Sequence, residues 1–240
     1  MNRNLDQFYQ GLEELGVVLS NLQINQFLTY YEILIEKNKV MNLTAITEFD
    51  EVVLKHFLDS LSIVKIVELE KVNSMIDIGT GAGFPGIPLK IAYPHLKIVL
   101  LDSLNKRVKF LTDVIDQLGL KNIYAVHGRA EETGRNKDYR EQFDLGVSRA
   151  VANLSTLSEY CVPFIKVGGY FISYKASDVD KELTTAATAI HKLSSSIVDK
   201  KEFMLPGSDI KRVLVKIKKE KPISRLYPRK AGLPTKEPLT

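Results

Sequence analysis

Apolar residues in the first 70 positions recur at the spacing of amphipathic helices. Two groups follow a period of three to four residues: Leu5, Phe8, Leu12 and Leu15, then Ile24, Phe27, Leu28, Tyr31 and Ile35. The segment Ser20-Asn-Leu-Gln stands between them and is typical of a helix start. Residues 51–69 form a third candidate helix. We interpret residues 1–70 as a helical extension that packs on the core of the protein.

From residue 74 onward the pattern changes to short apolar runs that alternate with amphipathic segments. The predicted strands are residues 75–78, 97–102, 123–126, 143–147 and 169–174, and the predicted helices between them are 87–92, 105–118 and 151–163. This alternation is typical of a parallel sheet with helices on both faces. The sequence therefore predicts a Rossmann-like α/β fold, with residues 71–220 as its main domain.

The C-terminal part of the chain has a different pattern. Residues 178–193 predict a helix, and residues 196–203 and 212–217 predict two strands with no helix between them. Two such strands favour an antiparallel hairpin that closes the sheet. The last stretch contains four of the nine prolines, Pro222, Pro228, Pro234 and Pro238. Because proline lacks the amide hydrogen that a helix interior needs, we expect residues 221–240 to form an extended tail.

The strongest chemical signal is the segment Asp77-Ile-Gly-Thr-Gly-Ala-Gly-Phe-Pro-Gly, which follows the first predicted strand. Gly79, Gly81 and Gly83 allow a tight strand-to-helix turn and let a ligand approach the backbone closely. A dinucleotide-binding turn would need glycine or alanine at position 84, where this chain has Phe84. The turn therefore fits a nucleoside ligand better than a pyrophosphate.

Residues at successive strand ends narrow the choice of cofactor. Asp102 ends the second strand, 23 residues after Gly79, and can accept hydrogen bonds from both hydroxyls of an adenosine ribose. Asp77 would repel a pyrophosphate, but it suits the amino group of a methionine moiety, directly or through water. Ala130 and Glu131 follow the third strand, in the loop that lies over an adenine in this topology. Together these residues predict S-adenosylmethionine (SAM) as the cofactor.

Composition excludes several other classes of protein. The single cysteine, Cys161, rules out an internal disulfide and a multi-cysteine metal site. No apolar run approaches the roughly 20 residues that a membrane span requires. The N-terminal segment carries Asp6, Glu13 and Glu14 where a signal peptide would have an apolar core. We expect a cytoplasmic protein without a metal, and nothing in the sequence suggests an obligate oligomer, so we expect a monomer.

Positive charge is concentrated near the C-terminus. Ten Lys and Arg residues face one acidic residue between positions 211 and 236, within a chain of net charge +4. Such an edge favours a polyanionic partner, although a solvated basic surface explains it nearly as well. In the tail, Arg229 and Lys230 can meet RNA phosphates and Tyr227 can stack on a base. Replacing both basic residues should then weaken RNA binding and spare SAM binding. A tail packed across the sheet edge is the alternative, and both can hold at once, because a docked tail places its charges at a fixed position.

Four stretches, in order, resemble the bacterial 16S ribosomal RNA guanine-N7 methyltransferases, the RsmG (GidB) family, over almost the full chain. They are residues 38–46, 56–61, 77–88 and 227–234. The resemblance implies SAM as methyl donor and 7-methylguanosine in the decoding region of 16S ribosomal RNA as product. Matched position by position, it implies cofactor contacts at Gly79, Phe84, Ala130, Glu131 and Arg149.

The residues themselves are consistent with methylation of a ring nitrogen. Guanine N7 has an in-plane lone pair and no proton, so its methylation needs positioning and no general base. The segment Val147-Ser-Arg-Ala lacks the proline motif of enzymes that methylate amino groups, and Cys161 fits a small core residue better than a nucleophile. Arg149 is the candidate catalytic residue, since it can donate to guanine O6 or a phosphate. A structural salt bridge is an equal alternative for Arg149.

Two polar groups in the N-terminal region have open roles. His56 and Asp59 share one helix face and can pair there, with packing or capping as the alternative. Asn38, Asn42 and Thr44 form either a polar turn at the cofactor mouth or a simple helix end. Two other functions also stay open: a methyltransferase for a small molecule or a protein, whose activity would not depend on the tail charges, and a non-catalytic SAM-binding module.

Overall fold

A mixed β-sheet forms the centre of the computed structural model, which describes residues 4–149, 152–176 and 179–239. Its seven strands are β1 (Ser74–Ile78), β2 (Lys97–Asp102), β3 (Ile123–His127), β4 (Phe143–Arg149), β5 (Ile165–Lys175), β6 (Ser195–Met204) and β7 (Lys211–Lys219). The strand order is β3-β2-β1-β4-β5-β7-β6; β1 to β5 are parallel, and β7 is antiparallel to both β5 and β6. The Rossmann-like α/β prediction and the antiparallel hairpin are confirmed.

Helices surround this sheet. They are α1 (Asp6–Leu15), α2 (Asn21–Met41), α3 (Phe49–Val52), α4 (Asp59–Leu61), α5 (Gly86–Ala92), α6 (Asn105–Gln117), α7 (Ala130–Thr133), α8 (Leu154–Cys161), α9 (Asp180–Lys192) and α10 (Leu233–Lys236). A π-helical segment, Val53–Leu58, joins α3 to α4. The predicted start of α2 is confirmed: Ser20 and Gln23 form a capping box, in which each side chain accepts a hydrogen bond from the other residue's backbone amide.

Alternate residues of the strands serve two separate cores, one on each face of the sheet. Met75 points to the core that includes apolar residues of α1, α2, α5 and α6, whereas its neighbour Ile76 points to the core with α8 and α9. Phe27 of α2 is completely buried in the first core, a burial that contributes about 2 kcal/mol. Helices therefore cover both faces, as the alternation predicted.

Two sequence predictions differ from the structure. The third candidate helix, 51–69, corresponds to α3, the π-helical segment and α4, followed by a 3₁₀ turn at Ser62–Lys65. The tail is not extended throughout, because α10 lies within it; Pro234 occupies the first turn of α10, where a missing amide hydrogen breaks no helical bond. The predicted helix starts at positions 151 and 178 lie outside the described residues.

The N-terminal helices and the sheet share one apolar core. Phe8 of α1 and Phe57 of the π-helical segment belong to the same cluster as Met75 of β1. The division into residues 1–70, 71–220 and 221–240 stays a prediction. Within the described ranges, no helix is both long and apolar enough to cross a membrane.

Candidate active site

The carboxyl ends of the five parallel strands lie at one edge of the sheet, next to a crevice between β1 and β4. The chain adds strands outward from β1 to β3 on one side and then from β4 to β5 on the other. Ligands of open α/β sheets bind at this topological switch point. Ile78 ends β1 and Arg149 ends β4, so the glycine-rich turn and the candidate arginine flank the crevice.

Backbone contacts and tight packing fix the glycine-rich turn. The amide of Gly79 donates to the carbonyl of Leu101 on β2 over 2.9 Å. Gly83 has a φ of +102°, and a Cβ there would lie 2.5 Å from Ile87 Cδ1 and 2.9 Å from the Tyr30 hydroxyl. Only glycine combines that backbone angle with the available space. The turn is therefore a rigid support for a ligand.

Asp102 braces the same turn from the end of β2. Its Oδ2 accepts from the Gly81 amide at 2.9 Å and lies 3.5 Å from Arg107 Nη1, while Oδ1 accepts from the Leu104 amide at 2.9 Å. The carboxylate is almost completely buried. Because two carboxylate oxygens offer about four acceptor positions, Asp102 retains one on Oδ1 for a ribose hydroxyl, and a second on Oδ2 if the long 3.5 Å contact with Arg107 gives way.

A pocket of about 210 Å³ opens beside this turn. The ends of β1 and β2, the start of α7 and the side chain of Tyr160 on α8 form its walls. Gly79, Ala130 and Glu131, three of the residues predicted to contact the cofactor, line this pocket together. The pocket lies where the sequence predicts the adenosyl group.

Asp77 is buried behind the turn. Its Oδ2 accepts from Thr80 Oγ1 at 2.7 Å and from the Gly86 amide at 2.8 Å. Its Oδ1 has no partner within the described part of the chain. Burial raises the pKa of this carboxyl to about 6. Asp77 does not itself line the first pocket, but it directly precedes Ile78 of the pocket wall. A carboxylate oxygen without a protein partner at this position fits SAM, which carries both an adenosine and an ammonium group.

Phe84, at the end of the turn, packs on the other side, away from that pocket. Its ring stacks on the His56 imidazole with centroids 4.4 Å apart and an interplanar angle of 19°. The Arg149 guanidinium lies 5.1 Å from the Phe84 ring centroid, and the Tyr30 ring is 5.3 Å away. The structure thus places Phe84 and Arg149 in a second group of residues, separate from the pocket that Gly79 lines.

Arg149 is the centre of this second group. Its Nη1 donates to Asp59 Oδ2 at 3.0 Å and to the Lys55 carbonyl at 3.1 Å, and its Nη2 lies 3.1 Å from His56 Nδ1. The other oxygen of Asp59 accepts from Arg212 Nε at 3.1 Å. The salt bridge that was one alternative for Arg149 is therefore present. Arg149 also bonds to both His56 and Asp59, for which direct pairing was one of the two alternatives.

The protonation of His56 follows from its neighbours. A guanidinium can only donate, so where Nδ1 accepts from Arg149 the proton lies on Nε2, 2.9 Å from Thr44 Oγ1; a proton on Nδ1 would instead point to the Lys55 carbonyl at 3.1 Å. Burial, followed by the positive charge of Arg149, lowers the pKa of His56 to about 3. The imidazole is therefore neutral near pH 7. It belongs to the π-helical segment, a conformation that is frequent at functional sites.

The loop after α2 orients Thr44. Asn38 Oδ1 accepts from the amides of Leu43 and Thr44 at 2.6 and 2.9 Å, and Asn38 Nδ2 donates to the Thr44 carbonyl at 2.9 Å. Asn42 caps α2 with a φ of 50°. The three residues thus form a polar turn that ends α2, away from the lining of the first pocket, and the turn contacts the second group of residues through Thr44 and His56.

A second pocket, of about 290 Å³, opens on the side of Arg149. Lys55, Lys175 and Arg212 line it together with Arg149 and Tyr174. Sequence reasoning missed these three cations. Lys175 had a usable signal, because it follows directly on the last predicted residue of the fifth strand; Arg212 had none, because β7 joins the sheet from the far end of the chain.

The tail residues that were predicted to bind RNA differ in exposure. Tyr227 packs against the second core, and Arg229 forms an ion pair with the buried Glu159 at 2.8 Å. Lys230 is exposed. The packed tail, given above as the alternative, is what the structure shows, and of the three predicted RNA contacts only Lys230 presents its charge freely to solvent.

A reactive centre could also lie at the single cysteine or at a metal site. Cys161 is completely buried, and burial raises the pKa of its thiol well above the usual value. Its assignment as a core residue is confirmed. Across residues 4–149, 152–176 and 179–239, no cluster of three or more His, Cys, Asp or Glu side chains is arranged to hold a metal ion.

Comparison with known sequences finds full-length relatives. The family model described as rRNA small subunit methyltransferase G (GidB) matches residues 23–206. A protein named ribosomal RNA small subunit methyltransferase G from Lachnoclostridium phytofermentans is 53% identical over 237 residues, which cover 99% of this chain and 98% of its own. A protein of the same name from Bacillus licheniformis is 47% identical over 236 residues, with 98% and 99% covered.

Solved structures of distant sequence share the fold. A SAM-dependent O-methyltransferase from Thermotoga maritima has a TM-score of 0.52 at 15% identity, covering 78% of this chain and 72% of its own. The fibrillarin pre-rRNA processing protein of Methanococcus jannaschii has a TM-score of 0.51 at 16% identity, with 66% and 73% covered. Similarity at this level concerns the fold alone.

Proposed function

Because the chain belongs to the rRNA small subunit methyltransferase G (GidB) family, we propose that it transfers a methyl group from SAM to N7 of a guanine in the decoding region of 16S ribosomal RNA. The product is 7-methylguanosine. One observation carries the proposal: the two pockets lie at the same edge of the sheet, and the glycine-rich turn connects them. Gly79 lines the first pocket, and Phe84 contacts Arg149, which lines the second. A donor and an acceptor require such a pair of neighbouring sites.

The first pocket holds the donor in this proposal. When bound, SAM supplies a methyl group on a positively charged sulfur. Gly79 and Ala130 offer backbone at close approach, Asp102 accepts from the ribose hydroxyls, and Glu131 forms the wall beside the adenine. Asp77 has an oxygen without a protein partner, which supports its assignment to the amino group of SAM.

The second pocket takes the acceptor guanine. Its N7 lone pair needs orientation and no proton transfer, and the neutral His56 is consistent with that requirement. A single hydrogen bond from Arg149 to guanine O6 would orient the base and leave N7 free, whereas the usual bidentate contact would block it. Asp59 and His56 fix Arg149 for this role, and the cations at the pocket rim suit RNA phosphates.

The same proposal includes the molecular setting. The enzyme is a monomer in this proposal. A ribosomal substrate supports a cytoplasmic location. The substrate is small-subunit RNA, as free RNA or within ribosomal particles.

The proposal is tested with labelled SAM and 16S ribosomal RNA, naked and in small subunits, from cells that lack this protein. We expect 7-methylguanosine in the digested RNA, identified by mass spectrometry. Arg149→Gln should lower methyl transfer at least about tenfold through loss of charge-assisted hydrogen bonds. Retained SAM affinity would assign Arg149 to the acceptor, and weakened SAM affinity would support the cofactor contact that the resemblance implies. Binding of SAM without transfer to either form of RNA would instead favour another acceptor or a non-catalytic module.

A further inference from the structure

The C-terminal tail is clamped to the body of the protein by a short polar segment, residues 134–142. Arg140 donates to the carbonyls of Ile223, Ser224 and Tyr227 at 3.0, 3.1 and 2.8 Å. Arg135 adds a hydrogen bond of 2.8 Å from Nε to the Pro228 carbonyl. These bonds engage backbone carbonyls, so they fix the path of the tail and do not depend on its side chains.

A buried ion pair then anchors the centre of the tail. Glu159 of α8 is completely buried, and it accepts from Arg229 through the backbone amide at 2.7 Å, Nε at 3.0 Å and Nη2 at 2.8 Å. Arg229 Nη2 also donates to the Glu237 carbonyl at 2.7 Å. The guanidinium thus holds both α8 and the end of the tail, which leaves it poorly placed for an RNA phosphate.

Beyond this anchor, the tail contacts two residues that line the first pocket. The Gly232 amide donates to Glu131 Oε1 at 2.9 Å, and the hydroxyls of Thr235 and Tyr160 lie 2.7 Å apart. Glu131 and Tyr160 both belong to the pocket wall, and Tyr160 directly follows Glu159 on α8. The tail is therefore the outer support of the wall beside the adenine position.

We propose that Arg229 is a positioning residue for the cofactor: its ion pair with Glu159 holds the tail against Glu131 and Tyr160 and thereby sets the affinity for SAM. This inference rests on the assignment of SAM to the first pocket. It revises the expectation that alanine at Arg229 would spare SAM binding. A loosened tail leaves the Glu131 carboxylate without its backbone donor and frees Tyr160, so binding must then reorder both side chains.

The first test measures the dissociation constant for SAM by calorimetry in three variants. Arg229→Ala should weaken SAM binding about tenfold or more. Arg229→Lys keeps the charge but loses the forked geometry, and it should recover part of that loss. Arg225→Ala is the matched control, because Arg225 is exposed on the same tail and its side chain has no hydrogen-bond partner among the described residues; its affinity should equal that of the wild type.

Steady-state kinetics separate positioning from a general structural role. For Arg229→Ala we expect a raised KM for SAM, and a kcat at saturating SAM within about twofold of the wild type, because the transferring atoms are not contacted. Affinity for 16S ribosomal RNA should be unchanged. A loss of RNA affinity with unchanged SAM affinity would overturn the inference and restore the role of Arg229 as a phosphate contact.

A second measurement uses the wild-type protein and stays informative if the alanine variant fails to fold. Linkage requires that a ligand stabilised by the docked tail must itself stabilise the docking. Saturating SAM should therefore slow amide hydrogen exchange in residues 229–237 at least about fivefold, with no change in the turn at residues 205–208. Unchanged exchange in the tail, despite SAM binding by calorimetry, would refute the inference; no SAM binding at all would refute the proposed function instead.

Discussion

At the scale of single residues, Arg149 shows how a charge can be structural and functional together. Its salt bridge to Asp59 and its place in the second pocket are present at once. Asp59 is almost completely buried and holds Arg149 with one oxygen and Arg212 with the other. The carboxylate therefore holds Arg149 and Arg212 in the wall of one pocket. Without it, the two arginine side chains would repel each other and rotate away.

We expect Asp59→Asn to lower kcat/KM for RNA at least about tenfold, while SAM affinity stays unchanged. Removing the charge leaves two neighbouring guanidinium groups without their shared partner, and breaking a buried pair should lower the free energy of unfolding by about 3 kcal/mol. Urea unfolding and methyl-transfer kinetics measure the two effects. Asp113→Asn is the control, since it is the same chemical change at an exposed position of α6 and should alter stability by less than about 0.5 kcal/mol. Equal kinetics for both variants would remove Asp59 from the site.

The stability of the protein should depend on pH through His56. With a folded pKa of about 3 and an unfolded value near 6.5, the unfolded state binds more protons between these values. The contribution of His56 is therefore fully present above pH 6.5 and is lost as the pH falls. Asp77, with its pKa raised to about 6, has the opposite sign: the stability that it contributes is lost as the pH rises through about 6.

Comparison with His56→Gln isolates the His56 contribution, because both proteins share every other titrating group. Between pH 6.5 and pH 5 the wild type should lose about 2 kcal/mol more unfolding free energy than the variant. Urea denaturation at both pH values measures this difference. Parallel stability curves for the two proteins would mean that His56 takes up its proton equally in the folded and unfolded states, so that its pKa is not lowered by folding.

At the scale of elements, the polar segment 134–142 holds the C-terminal tail, a role that its composition did not predict. It contains Arg135 and Arg140, which bind tail carbonyls, and Glu141, whose Oε1 accepts from the Ile223 amide at 3.0 Å. Glu141 also forms an ion pair of 2.6 Å with Lys219, which is almost completely buried and therefore needs a partner for its charge. This segment thus connects β7, the tail and the wall of the first pocket.

Arg140→Ala should release the beginning of the tail. Losing charge-assisted bonds to three carbonyls should lower the free energy of unfolding by about 2 kcal/mol. The released tail should then be cleaved by trypsin at its own Lys and Arg residues. Limited proteolysis followed by mass spectrometry measures the cleavage rate. Lys137→Ala, an exposed substitution in the same segment, should leave that rate unchanged; similar cleavage in both variants would show that the clamp does not hold the tail.

At the scale of the whole molecule, the two edges of the sheet both carry exposed lysines, but only the carboxyl edge has the pockets. The carboxyl edge has both pockets, with Lys230 and Lys236 exposed on the tail that supports the first pocket. The opposite edge also carries lysines, such as Lys97 at the start of β2 and Lys121 just before β3. A polyanion held at the active edge should therefore respond to the first pair of lysines and not to the second.

We expect the affinity for 16S ribosomal RNA to fall steeply with salt. Replacing Lys230 and Lys236 with Ala should reduce the slope of log affinity against log salt by about 1.5, because two fewer phosphates release their counterions. The same change at Lys97 and Lys121 is charge-matched and should leave the slope unaltered. Filter binding at several salt concentrations distinguishes the two pairs, and equal slopes for both would show that RNA does not approach over the tail.

The sequence by itself determined the order of strands and helices and the position of the glycine-rich turn. The spacing of apolar residues and the backbone freedom of glycine depend on residues that are close together in the sequence. The positions of Gly79 and Asp102 in the fold could therefore be predicted from the local pattern. Only the tertiary structure decided which charges meet. Arg229 and Glu159 are 70 positions apart, Arg149 and Asp59 are 90 apart, and Arg212 and Asp59 are 153 apart. Such pairs depend on where packed elements converge, and no local pattern records that convergence.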